Sequence, residues 1–261
     1  MALRIALGIE YDGSAYSGWQ RQDHAPSVQA DLEAALARVA DAPVTVTCAG
    51  RTDAGVHATH QVVHLDPPVP RPERAWVRGV TSNLPAAIGV RWMRPVAQDF
   101  HARFSARARR YRYVIRTDPL RPVLLRDRVS WTWRALSIEP MRLAAAHLVG
   151  EHDFTSFRAV ACQAKHPVRR IHELTVSGGD GFVYVDIEAN AFLHHMVRNI
   201  AGVLMAVGSG DRPPDWAAEV LAARDRRCGG MTAPAGGLYL VGVRYPQVYA
   251  LPPLGVLPAF A

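Results

Sequence analysis

Lysine is almost missing from this chain. Of 30 cationic residues only Lys165 is a lysine, so nearly all the positive charge sits on planar guanidinium groups. Arginine makes bidentate phosphate contacts and stacks on bases, which a lysine ammonium does not. Cysteine is scarce too: Cys48, Cys162 and Cys228 are far apart and odd in number. That spacing excludes a disulfide framework and a paired-cysteine metal site, and it fits a reducing compartment. The longest apolar helical run, near Ile200 to Val207, is too short to span a bilayer. The first residues run straight into strand-like sequence, without a basic segment followed by a long apolar one. A cytoplasmic location is therefore expected. There is no phosphate loop, no dinucleotide fingerprint, and no Ser or Cys in a nucleophile motif, so no cofactor is expected.

What is present is a globular composition of 261 residues, 49% hydrophobic and 20% charged. A chain of that length buries a sizeable core, as one domain or two small ones. The formal net charge of +7 favours polyanionic partners, because neutralising phosphates releases counterions.

The rest is organised around Ala49-Gly50-Arg51-Thr52-Asp53-Ala54-Gly55-Val56-His57. The run Val44 to Cys48 reads as a strand leading in, and Gln61 to Leu65 as one leading out. Glycine admits positive φ or close approach of a ligand. Asp53 is thus displayed on a tight loop at a sheet end, with Arg51 close by. From this stretch alone two readings stand: Asp53 caps its own turn, or it is a functional carboxylate.

In chain order, Arg4 to Tyr11 alternates as a strand. Ser27 caps a helix with the apolar stripe Val28, Leu32, Ala35, Leu36 and Val39. The two strands around Asp53 follow, then a helix over Glu73 to Asn83 and a strand over Ile88 to Arg94. The order is β-α-β-β-α-β, the ferredoxin-like arrangement. From about residue 105 it repeats with longer insertions. The second set comprises a strand over Arg110 to Arg116, a helix over Ile138 to Val149 and a hairpin of Ile171 to Ser177 with Val183 to Asn190. A helix over Leu193 to Val207 and a strand over Leu238 to Tyr245 complete it. The class is α+β. The expected divisions are residues 1–105, 106–247 and a Pro-rich tail, 248–261, that packs without regular structure. Two such halves would leave a cleft, a natural place for a site.

His57, His60 and His64 raise the question of a metal. In a strand, residues 60 and 64 share a face while 57 points to the other, so none is expected. Cys162 and His166 lack a partner pair. The stretch Arg103 to Tyr113 interleaves five arginines with three aromatics. On a strand, Tyr111 and Tyr113 share one face and Arg110 and Arg112 the other. The tyrosines are either a stacking surface for bases or part of the core, with the arginines tracking phosphate or simply wet. On the helix through His194-His195-Met196-Val197-Arg198-Asn199-Ile200, Arg198 lies off the centre of the core stripe. Ala201 and Gly202, one turn on, let another backbone approach. If that encloses Arg198, it needs an anion, with Asp53 one candidate; otherwise it is a surface arginine.

Taken in order, several blocks resemble the TruA family, tRNA pseudouridine synthase I. They are Tyr11-Asp12-Gly13 with Gly18-Trp19-Gln20-Arg21-Gln22, Gly50 through His57, and Phe100-His101-Ala102-Arg103-Phe104-Ser105 with Arg110-Tyr111-Arg112-Tyr113. His152 through Phe157, Phe192 through Ile200 and Gly237-Leu238-Tyr239-Leu240 complete the set. The resemblance implies a pseudouridine synthase fold, with two ferredoxin-like halves joined in one extended antiparallel sheet with a central cleft. It implies a homodimer that binds tRNA, needs no metal, and isomerises uridine at positions 38, 39 and 40 of the anticodon stem-loop. Asp53 matches the family's catalytic aspartate and Tyr111 the tyrosine that stacks on the target base. Arg51 would displace or hold the flipped nucleotide, Arg198 would pair with Asp53, and Leu238 would line the base pocket. Two other readings compete: a non-catalytic RNA-binding protein of two RNA-recognition-motif-like halves, and an N-glycosidase that stops at cleavage.

Overall fold

A computed structural model describes residues 4–253 and 255–260. The chain divides into two compact units, Met1–Arg107 with Tyr239–Pro258, and Ala108–Leu238 with Ala259–Ala261.

In the first unit, strand β1 (Arg4–Tyr11) is buried on both faces and lies between β4 (Ile88–Val96) and β3 (His57–Leu65), antiparallel to each. The far edge of β3 changes partner along its length. Short β2 (Thr47–Cys48) pairs antiparallel at His64 and Val63, and β10 (Leu238–Arg244) pairs parallel through Tyr239 and Leu240 at His57 and Ala58. The Asp53 loop leaves the sheet between those two partners. Helix α1 (Val28–Ala40) starts on Ser27, whose hydroxyl accepts the Ala30 N–H, and buries Leu32, Ala35 and Leu36.

Two elements differ from the sequence expectation here. Val44 and Val46 are buried but not in a ladder, because the Val46 N–H donates to the Glu33 carboxylate at 3.0 Å. That carboxylate also accepts from Gln29 at 2.9 Å and Arg21 at 2.8 Å, tying the helix to both flanking loops. The strand therefore shrinks to its last two residues. The helix expected over Glu73 to Asn83 is instead a π-helical turn, Ala75–Gly79, running into a single turn, α2 (Val80–Ser82). The wider turn, closed by the Val80 N–H on the Ala75 carbonyl, puts Trp76 fully inside.

The second unit is a sheet in the order β6 (Ser130–Thr132), β5 (Ala108–Thr117), β9 (Phe182–Ala189), β8 (Val168–Gly179), β7 (Gly150–Asp153). Only β6 runs parallel to its neighbour within this set. The β8–β9 hairpin turns on Asp180 and Gly181, both at positive φ, +52° and +78°, as a two-residue turn requires. Helices α3 (Ile138–Ala146), α4 (Met196–Gly208) and α5 (Trp216–Ala223) belong to this unit. Met141, Ala144, Ile200, Val203 and Leu204 are buried with Ile171, Val185 and Ile187 of the sheet. The α3 helix stops three residues short of Val149, where i→i+3 bonds from Leu148 and Val149 tighten the chain. The α4 helix starts three residues late, because His195 adopts a left-handed φ of 62°. Strands β6 and β7 and helix α5 are too short or weakly patterned to stand out in the sequence. Among the described residues of the tail, Gln247–Tyr249 form a 3₁₀ turn, where Tyr249 meets Phe100 edge-on at 4.9 Å.

Candidate active site

The Asp53 loop is held by the segment after β1. The Trp19 N–H donates to the Thr52 carbonyl at 3.0 Å, and the Gly55 N–H to the Tyr16 carbonyl at 3.2 Å. The hydroxyls of Thr52 and Tyr11 meet at 2.8 Å in a buried contact. On the other side, the Gln61 amide donates to the Gly50 carbonyl at 2.6 Å. Two glycines make this closeness possible. A Cβ on Gly13 would lie 2.0 Å from the Val56 carbonyl oxygen, and one on Gly18, at φ +106°, would lie 2.9 Å from that of Thr52. The turn closes through its backbone, from the Val56 N–H to the Asp53 carbonyl at 3.2 Å. Asp53 is half-buried at the head of this frame, and Arg51 beside it is exposed.

The three histidines of β3 are buried. His57 accepts the Gly13 N–H on Nδ1 at 3.0 Å and stacks on Tyr239, with ring centroids 4.7 Å apart. His64 accepts the Ala102 N–H on Nδ1 at 3.1 Å. Burial lowers the pKa of His60 and of His64 to about 4, with the His101 and Arg4 charges adding to the shift at His64. Cys48, next to the loop, is pushed up to about 11 by burial, opposed by the charges of Arg51 and Arg103.

Tyr111, Arg198 and Leu238 lie in the second unit. Tyr111 is buried on β5, its ring edge-on to Phe192 at 5.1 Å. Tyr113, on the same face, donates its hydroxyl to the Pro234 carbonyl at 2.8 Å. Burial raises the pKa of that phenol, and the Arg198 charge opposes the rise. Arg198 donates from Nε to the Ala233 carbonyl at 2.8 Å, while the Ala233 N–H returns to the Arg198 carbonyl at 3.1 Å. Gly202 takes the close approach expected of a small residue: a Cβ there would lie 1.8 Å from the Met231 carbonyl oxygen. Asn199 anchors the same segment, accepting from Thr232 at 2.7 Å and Arg226 at 3.1 Å and donating to the Phe157 carbonyl at 2.7 Å. Five residues on, Gly237 packs on the Val114 backbone and delivers Leu238, which is buried. Tyr11, Thr52 and Asn199 stand in the quoted blocks, but neither the Tyr11–Thr52 contact nor the Asn199–Thr232 bond was read from the sequence.

Two arginines on the face of β5 opposite Tyr111 are engaged within the second unit. Arg112 forms a two-pronged pair with Asp186 across the β5–β9 ladder, at 2.9 and 2.7 Å, and its guanidinium lies 4.9 Å from the Tyr184 ring. Arg116 likewise pairs with Asp118 and covers Phe182. The partner of Arg112 sits 74 residues away, out of reach of a strand-by-strand reading.

Residues 8–105 and 144–246 match the tRNA pseudouridine synthase family. The chain belongs to that family. It is 61% identical over 250 residues to the tRNA pseudouridine synthase A of Pseudomonas aeruginosa, covering 95% of this chain and 88% of that protein. The synthase A of Shewanella denitrificans is 55% identical, covering 99% of each chain. That of Coxiella burnetii is 53% identical, covering 98% of each. This tRNA pseudouridine synthase family membership accounts for the ordered blocks from Tyr11 to Leu240, and with them the α+β pseudouridine synthase fold.

Proposed function

We propose that the chain isomerises uridine to pseudouridine at positions 38, 39 and 40 of the tRNA anticodon stem-loop, with Asp53 as its catalytic carboxylate. It is an isomerase, and its substrate is tRNA. Uridine C5 lies inside the helical stack, so the nucleotide must flip out, at a cost of a few kcal/mol. Stacking on Tyr111 returns about 1–3 kcal/mol of that. Arg51, exposed beside Asp53, displaces or holds the flipped nucleotide. Leu238 lines the base pocket, and Arg198 is the charge partner of Asp53.

The reaction breaks N1–C1′, turns the uracil and forms C5–C1′. An ionised Asp53 serves it by adding to C1′ as the base departs, or by taking the C2′ proton to form a glycal. In the first route C5 then displaces the carboxylate from C1′, and in the second C2′ takes its proton back as C5 adds to C1′; in both the C5 proton is finally lost and N1 regains one, so no redox step is needed. The observation that carries the reading is the position of Asp53, on a loop fixed from both sides and inside the family's Gly-Arg-Thr-Asp block. The active unit is a cytoplasmic homodimer that recognises tRNA largely by charge and shape, so binding weakens steeply with salt.

The test is single-turnover conversion of unmodified tRNA by Asp53→Asn, alongside a binding titration. The expected result is near-complete loss of product with affinity retained, because phosphate contacts elsewhere supply most of the binding. Comparable conversion by the variant would overturn the assignment. Free uracil as product would instead identify an N-glycosidase.

A further inference from the structure

Phe104 is the exposed aromatic of the Arg103–Tyr113 run, and the chemistry above leaves it unused. Tyr111 and Tyr113 are buried, but the Phe104 ring is 76% exposed. It is nevertheless held firmly. The His101 imidazole stacks on it with centroids 4.3 Å apart and planes 29° from parallel. The His101 Nδ1 accepts the N–H groups of both Arg103 and Phe104 at 3.2 Å. The His101 N–H donates to the Ser105 hydroxyl at 2.9 Å, and the Ser105 N–H returns to the His101 carbonyl at 2.8 Å. The turn is fixed from below as well, by Ala102 on the His64 ring and by the Tyr245 hydroxyl on the Ala102 carbonyl at 2.6 Å.

Its surroundings are cationic. The Arg103 guanidinium lies 5.6 Å from the Phe104 ring centroid, and Arg107 is exposed three residues on. Through His64 the turn is linked to β2, the strand that leads into the Asp53 loop. His64, whose ring lies 4.7 Å from that of His101, pairs across the ladder with Thr47, and Cys48 feels the charges of both Arg51 and Arg103. A rigid exposed ring flanked by guanidinium groups is the usual receptor for an unpaired nucleobase, since every base offers a π-face and its phosphates meet the cations.

We propose that Phe104, backed by His101 and flanked by Arg103 and Arg107, is a stacking platform for one unpaired base of the bound tRNA. The inference rests on tRNA being the substrate and deepens that reading. Because the ring is already immobilised, stacking orders little further side chain.

The experiment measures equilibrium binding of an unmodified tRNA transcript, and of transcripts with a single abasic nucleotide at each unpaired position in turn. Phe104→Leu is expected to bind the intact transcript about 5- to 100-fold more weakly, and Phe104→Trp to bind it as well as the native chain. One abasic position should weaken the native chain yet leave Phe104→Leu no weaker than it already was, because the two changes remove the same contact. The proposal is overturned if Phe104→Leu binds within about twofold of the native chain. It is equally overturned if every abasic position adds in full to the Phe104→Leu defect. A shift of Phe104→Leu in sedimentation would also overturn it, marking the ring as a subunit contact. Product formation, followed separately, reports on the enzymatic reading alone, so the two can fail independently.

Discussion

The hydroxyl of Tyr11, at the end of β1, meets that of Thr52 at 2.8 Å in a buried contact. It joins the central strand of the first unit to the residue before Asp53. A one-residue offset in β1 would turn the hydroxyl away from the loop.

Tyr11→Phe and Thr52→Val should each lower single-turnover pseudouridine formation by about five- to tenfold, from loss of a buried hydrogen bond worth ~1 kcal/mol and the partner left unsatisfied. tRNA affinity should stay unchanged. The double variant should lose less than the product of the two singles, because both hydroxyls are then gone. Full additivity in a double-mutant cycle would show that the two act separately.

The backbone contact at Gly13 leaves no room for a methyl group, since a Cβ would stand 2.0 Å from the Val56 carbonyl oxygen. The shift needed would also disturb the Gly13 N–H bond to His57. Gly13→Ala should cost about 1–3 kcal/mol or more in urea unfolding, and activity with it. Gly50, with nothing within 4 Å of an added Cβ, is the control. Gly50→Ala should stay within about 0.5 kcal/mol.

Stability should fall on acidification through the histidines of β3. Burial lowers His60 and His64 to about 4, below the unfolded value of 6.5. Between those values the unfolded chain binds more protons, so stability rises with pH there. It is fully present above about 6.5 and is lost as pH falls towards 4. Melting temperatures taken across that window should decline, and His60→Leu should flatten part of the slope. An unchanged slope would assign the acid sensitivity to carboxylates.

Tyr111 is buried with its ring set edge-on to Phe192, a packing that Phe would keep and Ala would not. Tyr111→Phe should retain most turnover if stacking dominates. Tyr111→Ala should lose most of it, with about 1–3 kcal/mol of base stacking removed. If Phe proves as damaging as Ala in single-turnover assays, the hydroxyl does the work.

The order of elements was legible in the sequence because periodicity is local. Alternation marked Arg4 to Tyr11, a 3.6-residue stripe marked α1, and two glycines marked the display of Asp53. The ordered blocks from Tyr11 to Leu240 marked the family for the same reason: each is a short contiguous string.

Tertiary structure decided what depends on distant partners. Val44 and Val46 have strand-like side chains, but the Glu33 carboxylate captures the Val46 N–H, so the ladder there is only Thr47 and Cys48. For Arg112 the sequence left phosphate contact and a wet face open, whereas its partner is Asp186, on another strand. The bonds of Asn199 and Thr232 could not be read locally, since each acts through a partner more than 30 residues away. Local sequence sets which dihedrals and faces the chain prefers. Which buried donor meets which acceptor is settled only when segments far apart in the chain are brought together, because an unmet polar group costs more than a local preference gains.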